Sequence, residues 1–256
     1  MESKIGLVLS GGGVRAVAHI GFIKFLLEHN IVPTVVSGTS GGAIVGALYA
    51  AGYKPQEMLS FFKKTPLLKI GLYARGKPGF MDSEKYALYF KKFFKEDSFE
   101  SLKYPLTITA TNLLEGTLDF FKTGELIKAL LASSALPPVF SPIEINGILY
   151  CDGGVLNNFP IEPLHQKCEK IIGSFVNPVS KIHKSEVNSL YKLVARVFHI
   201  GLDANNFSKF EKCNYVFLPS NMNKIGILDS KGVERAYELG YAFAKQEETK
   251  ILSSLT

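Results

Sequence analysis

Residues 4–10 (KIGLVLS) form a short apolar run rich in Ile, Val and Leu, the pattern of a strand buried on both faces. Gly11, Gly12 and Gly13 break it. Ala16, Ile20, Ile23 and Leu27 then recur at helical spacing up to His29. The chain repeats the device: residues 32–37 (VPTVVS) predict a second strand, which runs into Gly38-Thr39-Ser40-Gly41-Gly42. Residues 43–51 continue as a small-residue apolar helix stopped by Gly52. Two strand–glycine–helix units in tandem predict parallel strands joined by crossover helices, an α/β arrangement.

Further along, residues 105–111 (PLTITAT) read as a strand with residues 117–121 pairing beside it, and residues 124–136 as a helix ending at Pro137-Pro138. Residues 142–150 contain Asn146-Gly147, a tight-hairpin signal, and lead into Cys151-Asp152-Gly153-Gly154. Residues 163–170 are amphipathic and predict a surface helix carrying His165. Residues 171–176 and 215–219 predict strands, residues 189–202 a helix, and Ala236, Tyr237, Gly240, Tyr241 and Ala244 stripe a last helix. No repeat, low-complexity tract or linker interrupts this pattern. The expectation is one domain over residues 1–256, with residues 181–256 completing a motif-bearing core of about residues 1–180.

With 46% hydrophobic and 20% charged residues, the composition is globular and excludes a disordered or fibrous chain. No apolar run approaches the roughly 20 residues that span a bilayer. Met1-Glu2-Ser3-Lys4 leads straight into the first strand, without the layout of a cleaved signal peptide. Cys151, Cys168 and Cys213 are too few and scattered for a disulfide framework or a zinc site. These features predict a cytoplasmic protein, peripheral to a membrane surface at most, with no metal and no cofactor. The net charge of +6 is concentrated: residues 61–95 alone carry +7 and nine aromatics. A basic, aromatic segment of that kind predicts contact with an anionic surface, and no nucleic-acid partner is expected.

Three places carry candidate chemistry. Gly38-x-Ser40-x-Gly42, between a strand and a helix, suits a nucleophile on a sharp turn, where flanking side chains would clash. The glycine run at 11–13 admits three readings. A dinucleotide loop lacks its third glycine, because Ala16 stands there, and a phosphate loop lacks its Gly-Lys-Ser/Thr ending. An oxyanion hole serving the serine one crossover later fits best. Asp152 stands at a strand end, where active sites of open α/β sheets gather. A triad of Ser40, Asp152 and His165 would place the histidine only thirteen residues past the aspartate, so His165 is a poor base.

Four blocks together resemble the patatin-like phospholipase family. They are Leu9 to Arg15 with His19-Ile20-Gly21, then Gly38 to Gly42, then Ala132 to Ala135 with Pro137 and Phe140, then Asp152-Gly153-Gly154 with Asn157, Asn158 and Pro160. The resemblance implies a three-layer α/β/α fold with a mostly parallel central sheet, and a Ser–Asp dyad without histidine. It implies Ser40 as nucleophile, Asp152 as base, Gly38 and Gly42 as elbow glycines, and Gly11, Gly12, Gly13 and the neighbourhood of Arg15 as oxyanion hole. Ala16 departs from the family's usual glycine. The implied activity is a serine acyl hydrolase on carboxylic esters of lipids, phospholipid or lysophospholipid. The alternatives are an acyltransferase or thioesterase on the same dyad, and a silent lipid-binding module.

Overall fold

The computed structural model describes residues 4–165, 167–203 and 206–255. In chain order its elements are β1 (Ile5–Leu9), α1 (Val17–Glu28), β2 (Val35–Thr39), α2 (Gly41–Ala50), α3 (Pro55–Lys64), α4 (Ala87–Phe90), β3 (Leu106–Asn112), β4 (Thr117–Phe121), α5 (Leu126–Ser133), β5 (Ile143–Ile145), β6 (Ile148–Asp152), β7 (Lys170–Ser174), α6 (Leu190–Asp203), α7 (Phe207–Phe210), β8 (Tyr215–Phe217), α8 (Val233–Gln246) and α9 (Glu248–Leu255). β2 starts later than its apolar pattern because Val32-Pro33 leads in, and Pro33 has no N–H for a ladder. α5 stops before Pro137-Pro138, since the residue preceding a proline is pushed out of the helical region. Asn146 and Gly147 both have positive φ, 52° and 81°, as the tight turn between β5 and β6 requires.

The strands form one eight-stranded sheet following the path β5-β6-β3-β2-β1-β7-β8, with β4 also on β3. β1, β2, β3, β7 and β8 run parallel, while β4, β5 and β6 enter antiparallel. The register on β3 fixes the site. β4 occupies one edge of β3 from Ile108 to Asn112. β2 pairs with Leu106 to Thr109 and β6 with Ala110 to Asn112, so both lie along the other edge. β2 therefore ends, at Thr39 opposite Thr109, where β6 ends, at Asp152 opposite Ala110.

Side chains alternate across β1, which gives the sheet two cores. Leu7 and Leu9 pack with α1, α2 and α8 on one face, in a cluster that also takes in Phe22, Val36, Ile108 and Phe217. Val8 faces the other side, with Phe159, Ile161, Leu164, Ile171 and Phe175. The second outer layer is thin. Residues 163–165 lie in turns rather than the expected surface helix, with Leu164 in the core and His165 exposed. The C-terminal region joins the same sheet and layers: β8 pairs parallel with β7, and α8 packs along α1. Among the described residues no helix is long and apolar enough to cross a membrane.

The basic segment divides. Phe61, Tyr86, Phe90 and Phe94 are buried in the main core, which accounts for their near-helical spacing. Leu68, Ile70, Tyr73, Phe80 and Leu88 face outward, Ile70 being 85% exposed. The strand-like bridges Tyr73 to Met81 and Met81 to Phe140 tie this segment to the chain just after α5.

Candidate active site

Ser40 sits between β2 and α2 with φ 53° and ψ −128°, a conformation that costs a non-glycine residue about 1–3 kcal/mol. The surroundings force the turn. A Cβ on Gly42 would lie 2.4 Å from the carbonyl oxygen of Ser10, and one on Gly38 would lie 2.8 Å from that of Gly42. Thr39 Oγ1 shares a 2.6 Å hydrogen bond with Thr109 Oγ1, and its hydroxyl also bonds the carbonyl of Asn157 at 3.0 Å. The Ser40 N–H donates to Ser133 Oγ at 2.9 Å, so the last residue of α5 anchors the elbow.

Asp152 is 2% exposed. Its backbone is fixed on both sides: its N–H donates to Ala135 O at 3.0 Å, and its carbonyl accepts from Thr111 Oγ1 at 3.0 Å. Its carboxylate accepts from the Gly154 N–H at 2.8 Å, and the Ser40 hydroxyl lies beside it. Burial pushes its pKa up to about 6, and the Ser40 hydroxyl and the Gly154 N–H work in the other direction. The sheet register thus brings the two sequence-predicted residues, far apart in the chain, side by side.

The glycine loop is braced from the C-terminal region. The Val14 N–H donates to Ile227 O at 2.9 Å, and Gly13, with φ +55°, leaves no room for a side chain, since a Cβ would lie 2.1 Å from the same oxygen. Gly11 and Arg15 have other partners than the expected oxyanion. The Gly11 N–H donates to Asn158 O at 3.3 Å. The buried Arg15 guanidinium donates from Nε to Ile225 O at 2.7 Å and from Nη1 to Asn177 Oδ1 at 2.5 Å, and its own N–H is taken by Gly12 O. Arg15 therefore ties the loop to the C-terminal segment. Among the described residues the N–H groups of Gly12 and Gly13 have no backbone acceptor outside their own turn.

Two asparagines that the sequence leaves without individual roles lie here. Asn157 is a structural node: its amide donates to Glu162 Oε2 at 2.9 Å, and its Oδ1 accepts from the Phe159 N–H and from Lys209 Nζ. Asn158 is 3% exposed, and its Nδ2 is buried with no hydrogen-bond partner. Its side-chain oxygen lies 2.4 Å from where a Cβ on Gly11 would stand, a point itself 3.1 Å from Ser40 Cβ, so this amide borders the elbow. No sequence signal separates the two residues; only the packing does.

The histidines are otherwise engaged. His19 is fully buried, with Nε2 donating to Ser10 O at 2.9 Å and Nδ1 therefore accepting from Ser174 Oγ at 2.7 Å. Burial pushes its pKa down to about 4. His29 caps α1 and bonds Glu248 at 3.0 Å. His165 is exposed, His183 caps a surface turn, and His199 Nε2 bonds Asn177 O at 3.1 Å.

A sequence profile described as patatin-like phospholipase matches residues 7–165, and the chain belongs to that family. An NTE family protein of Mycobacterium tuberculosis is 34% identical over 164 residues, which are 63% of this chain and 45% of that protein. Lysophospholipase NTE1 of Meyerozyma guilliermondii is 26% identical over 283 aligned residues, covering 98% of this chain and 20% of that protein. The chain thus spans less than half the length of these relatives. Among solved structures, VipD from Legionella pneumophila superimposes with TM-score 0.55 at 17% identity, over 96% of this chain and 66% of that one. Human GIVD cytosolic phospholipase A2, solved with methyl gamma-linolenyl fluorophosphonate, gives TM-score 0.55 at 11% identity, over 99% of this chain and 58% of that one. At these identities the two structures establish the fold.

Proposed function

We propose that the protein is a serine acyl hydrolase that cleaves carboxylic ester bonds of phospholipids or lysophospholipids through a Ser40–Asp152 dyad. One observation carries the reading: a serine held on a strained strand-to-helix turn has its hydroxyl beside a buried carboxylate, with no histidine between them. Family membership and the lysophospholipase relative support the lipid ester as substrate class.

In this mechanism Ser40 Oγ attacks the ester carbonyl carbon while Asp152 takes its proton. A carboxylate with an ordinary pKa is a weak base for an alcohol, and desolvation raises its basicity toward the working pH. The tetrahedral oxyanion is stabilised by the Gly12 and Gly13 N–H groups, by Asn158 Nδ2, and by the positive N-terminus of the ten-residue α2. Collapse breaks the ester C–O bond, and the leaving alcohol takes the proton from Asp152. Water, deprotonated by Asp152, then attacks the acyl-Ser40 carbonyl and releases the fatty acid as Ser40 recovers its proton. The exposed residues of the basic segment, Lys69, Arg75, Ile70 and Phe80, bring the enzyme to an anionic lipid surface.

The test is a panel of phospholipids and lysophospholipids scored for free fatty acid, with Ser40→Ala as blank and a fluorophosphonate probe as reporter of an activated serine. Release by the wild type, none by Ser40→Ala, and labelling that Ser40→Ala abolishes are expected. Near-wild-type release by Ser40→Ala overturns the nucleophile assignment.

A further inference from the structure

α6 carries an apolar stripe that faces away from the protein. Leu190, Leu193, Val194, Val197 and Ile200 fall on one helical stripe and are 77%, 48%, 57%, 61% and 46% exposed. Two polar side chains tie the helix to the chain before it: Arg196 Nη2 donates to Ser180 O at 2.7 Å, and His199 bonds Asn177 O at 3.1 Å. A helix on a water-facing surface ordinarily turns such a stripe toward the core. The location is as informative as the exposure. α6 packs beside the turn Gly153–Val155 that follows Asp152, and Asn177 also accepts from Arg15 of the glycine loop. The helix that carries the stripe therefore borders the candidate active site.

We infer that the α6 stripe is a docking element that inserts into an anionic lipid surface and holds the entrance of the site against it. This rests on the lipid-hydrolase reading above. Charge selects the occupant. Lys181, Lys184 and Lys192 are exposed in the helix and the segment leading into it, and Glu186 is the only acidic residue between positions 181 and 200. An anionic headgroup layer complements that pattern, with basic residues near the surface attracting it and apolar side chains entering the acyl boundary. A second copy of the chain would bring the same cations together, which like-charge repulsion opposes. The basic segment adds a second outward apolar group near the site. The Met81 N–H bonds Val139 O at 2.8 Å, just beyond the α5 terminus that anchors Ser40, and the neighbouring Phe80 is 66% exposed.

The chain contains no tryptophan, so one placed on the stripe reports alone. Val197→Trp is made in the Ser40→Ala background, which separates binding from turnover. Vesicles of phosphatidylglycerol and phosphatidylcholine should shift its emission to the blue, brominated acyl chains should quench it, and salt should weaken both effects. Phosphatidylcholine vesicles alone should give a smaller response. Unchanged emission while the protein sediments with vesicles would assign binding to another surface and overturn the inference. A blue emission that needs no vesicles and disappears on dilution would assign the stripe to a second copy and also overturn it. In the otherwise unaltered enzyme, Leu193→Asp with Val197→Asp should lower vesicle binding by about tenfold or more and leave soluble short-chain ester hydrolysis within about twofold. Vesicle binding equal to wild type in that variant would refute the docking role. Activity retained by Ser40→Ala would sink the hydrolase mechanism but leave the tryptophan result standing, so the two failures are distinguishable.

Discussion

Replacing Asp152 by asparagine should disable the enzyme and stabilise the protein, with a pH signature that ties both effects to one carboxyl group. Burial moves this group from the ordinary 3.8 up to about 6 in the folded chain. The sign follows from linkage. Well below pH 4 the carboxyl is neutral whether the chain is folded or not, and its ionisation contributes nothing. Between about pH 4 and pH 6 the unfolded chain ionises while the folded chain resists, so folding weakens as pH rises. Above about pH 6 the loss levels off at about 3 kcal/mol, from 1.36 kcal/mol per pKa unit. The substituted amide carries no charge to bury, and its side-chain oxygen can still accept from the Gly154 N–H. The Asp152→Asn variant should therefore match wild type near pH 4 and exceed it by about 3 kcal/mol near pH 7, or about 6 °C in Tm for a chain of this size. Its kcat/KM should fall by about a thousandfold or more, the scale of a lost general base. Wild-type kcat/KM should rise with pH along an acid limb centred near 6. Calorimetry at the two pH values and a soluble-ester assay read these outcomes. A variant no more stable than wild type near pH 7, or equally more stable at both pH values, would refute the burial argument. Retained turnover would refute the base.

Ser40→Gly should also be inactive yet more stable by about 1 kcal/mol in thermal unfolding, because glycine adopts the strained backbone at φ 53° without penalty. Ala16→Gly should keep its activity and lose about 1 kcal/mol of stability, since the Ala16 methyl packs 2.7 Å from where a Cβ on Gly41 would stand and fills the space that glycine leaves; a collapse in rate with the fold intact would contradict this. Lys69→Glu with Arg75→Glu should lower hydrolysis of anionic vesicles but not of a soluble short-chain ester, and equal losses on both would place the segment in the catalytic fold. Lys77 is left out of that variant because its Nζ already pairs with Asp82 and Glu84 at 3.1 and 2.5 Å. His165→Ala, His183→Ala and His199→Ala should each keep most of the ester hydrolysis, and a large loss in any one would reveal a triad.

The strand–glycine–helix units are legible in the sequence because each is a local signal. An apolar run stops at glycines whose missing side chains the turn requires, and a helical period follows. The Asn146-Gly147 hairpin is legible for the same reason. The contact between Ser40 and Asp152 is not, since it depends on β2 and β6 sharing one edge of β3, a register that no local pattern encodes. Only the resemblance joins them in advance. The brace on the glycine loop is equally hidden: Ile225 and Ile227 act through backbone carbonyls, which any residue carries. Arg15 misleads for that reason. Its place beside the glycines suggests an anion contact, whereas its partners come from residues 177 and 225. Residues 61–95 give two conflicting readings because both are present, with buried aromatics on one side of the segment and exposed cations and apolar groups on the other.

Three unfavourable terms meet at the candidate site, and that bears on how an aspartate could suffice as base. Ser40 holds a strained backbone, Asp152 holds a carboxylate out of water, and Asn158 holds an amide nitrogen without a partner. Each alone would be a structural defect of about 1–3 kcal/mol. They persist because the surrounding groups are over-determined: Thr39 is locked to Thr109 and Asn157, Asp152 is bonded through both backbone groups, and Asn157 is held by Glu162 and Lys209. His19 shows the opposite arrangement a short distance along the chain. Both its nitrogens are satisfied and its pKa is pushed far below neutrality, so it is built into the fold and cannot shuttle a proton at neutral pH. A residue used for packing has its polar atoms satisfied, and a residue used for chemistry is left with something to gain from a substrate. In the proposed mechanism the base is Asp152, and its desolvation would supply the basicity that a histidine would otherwise provide.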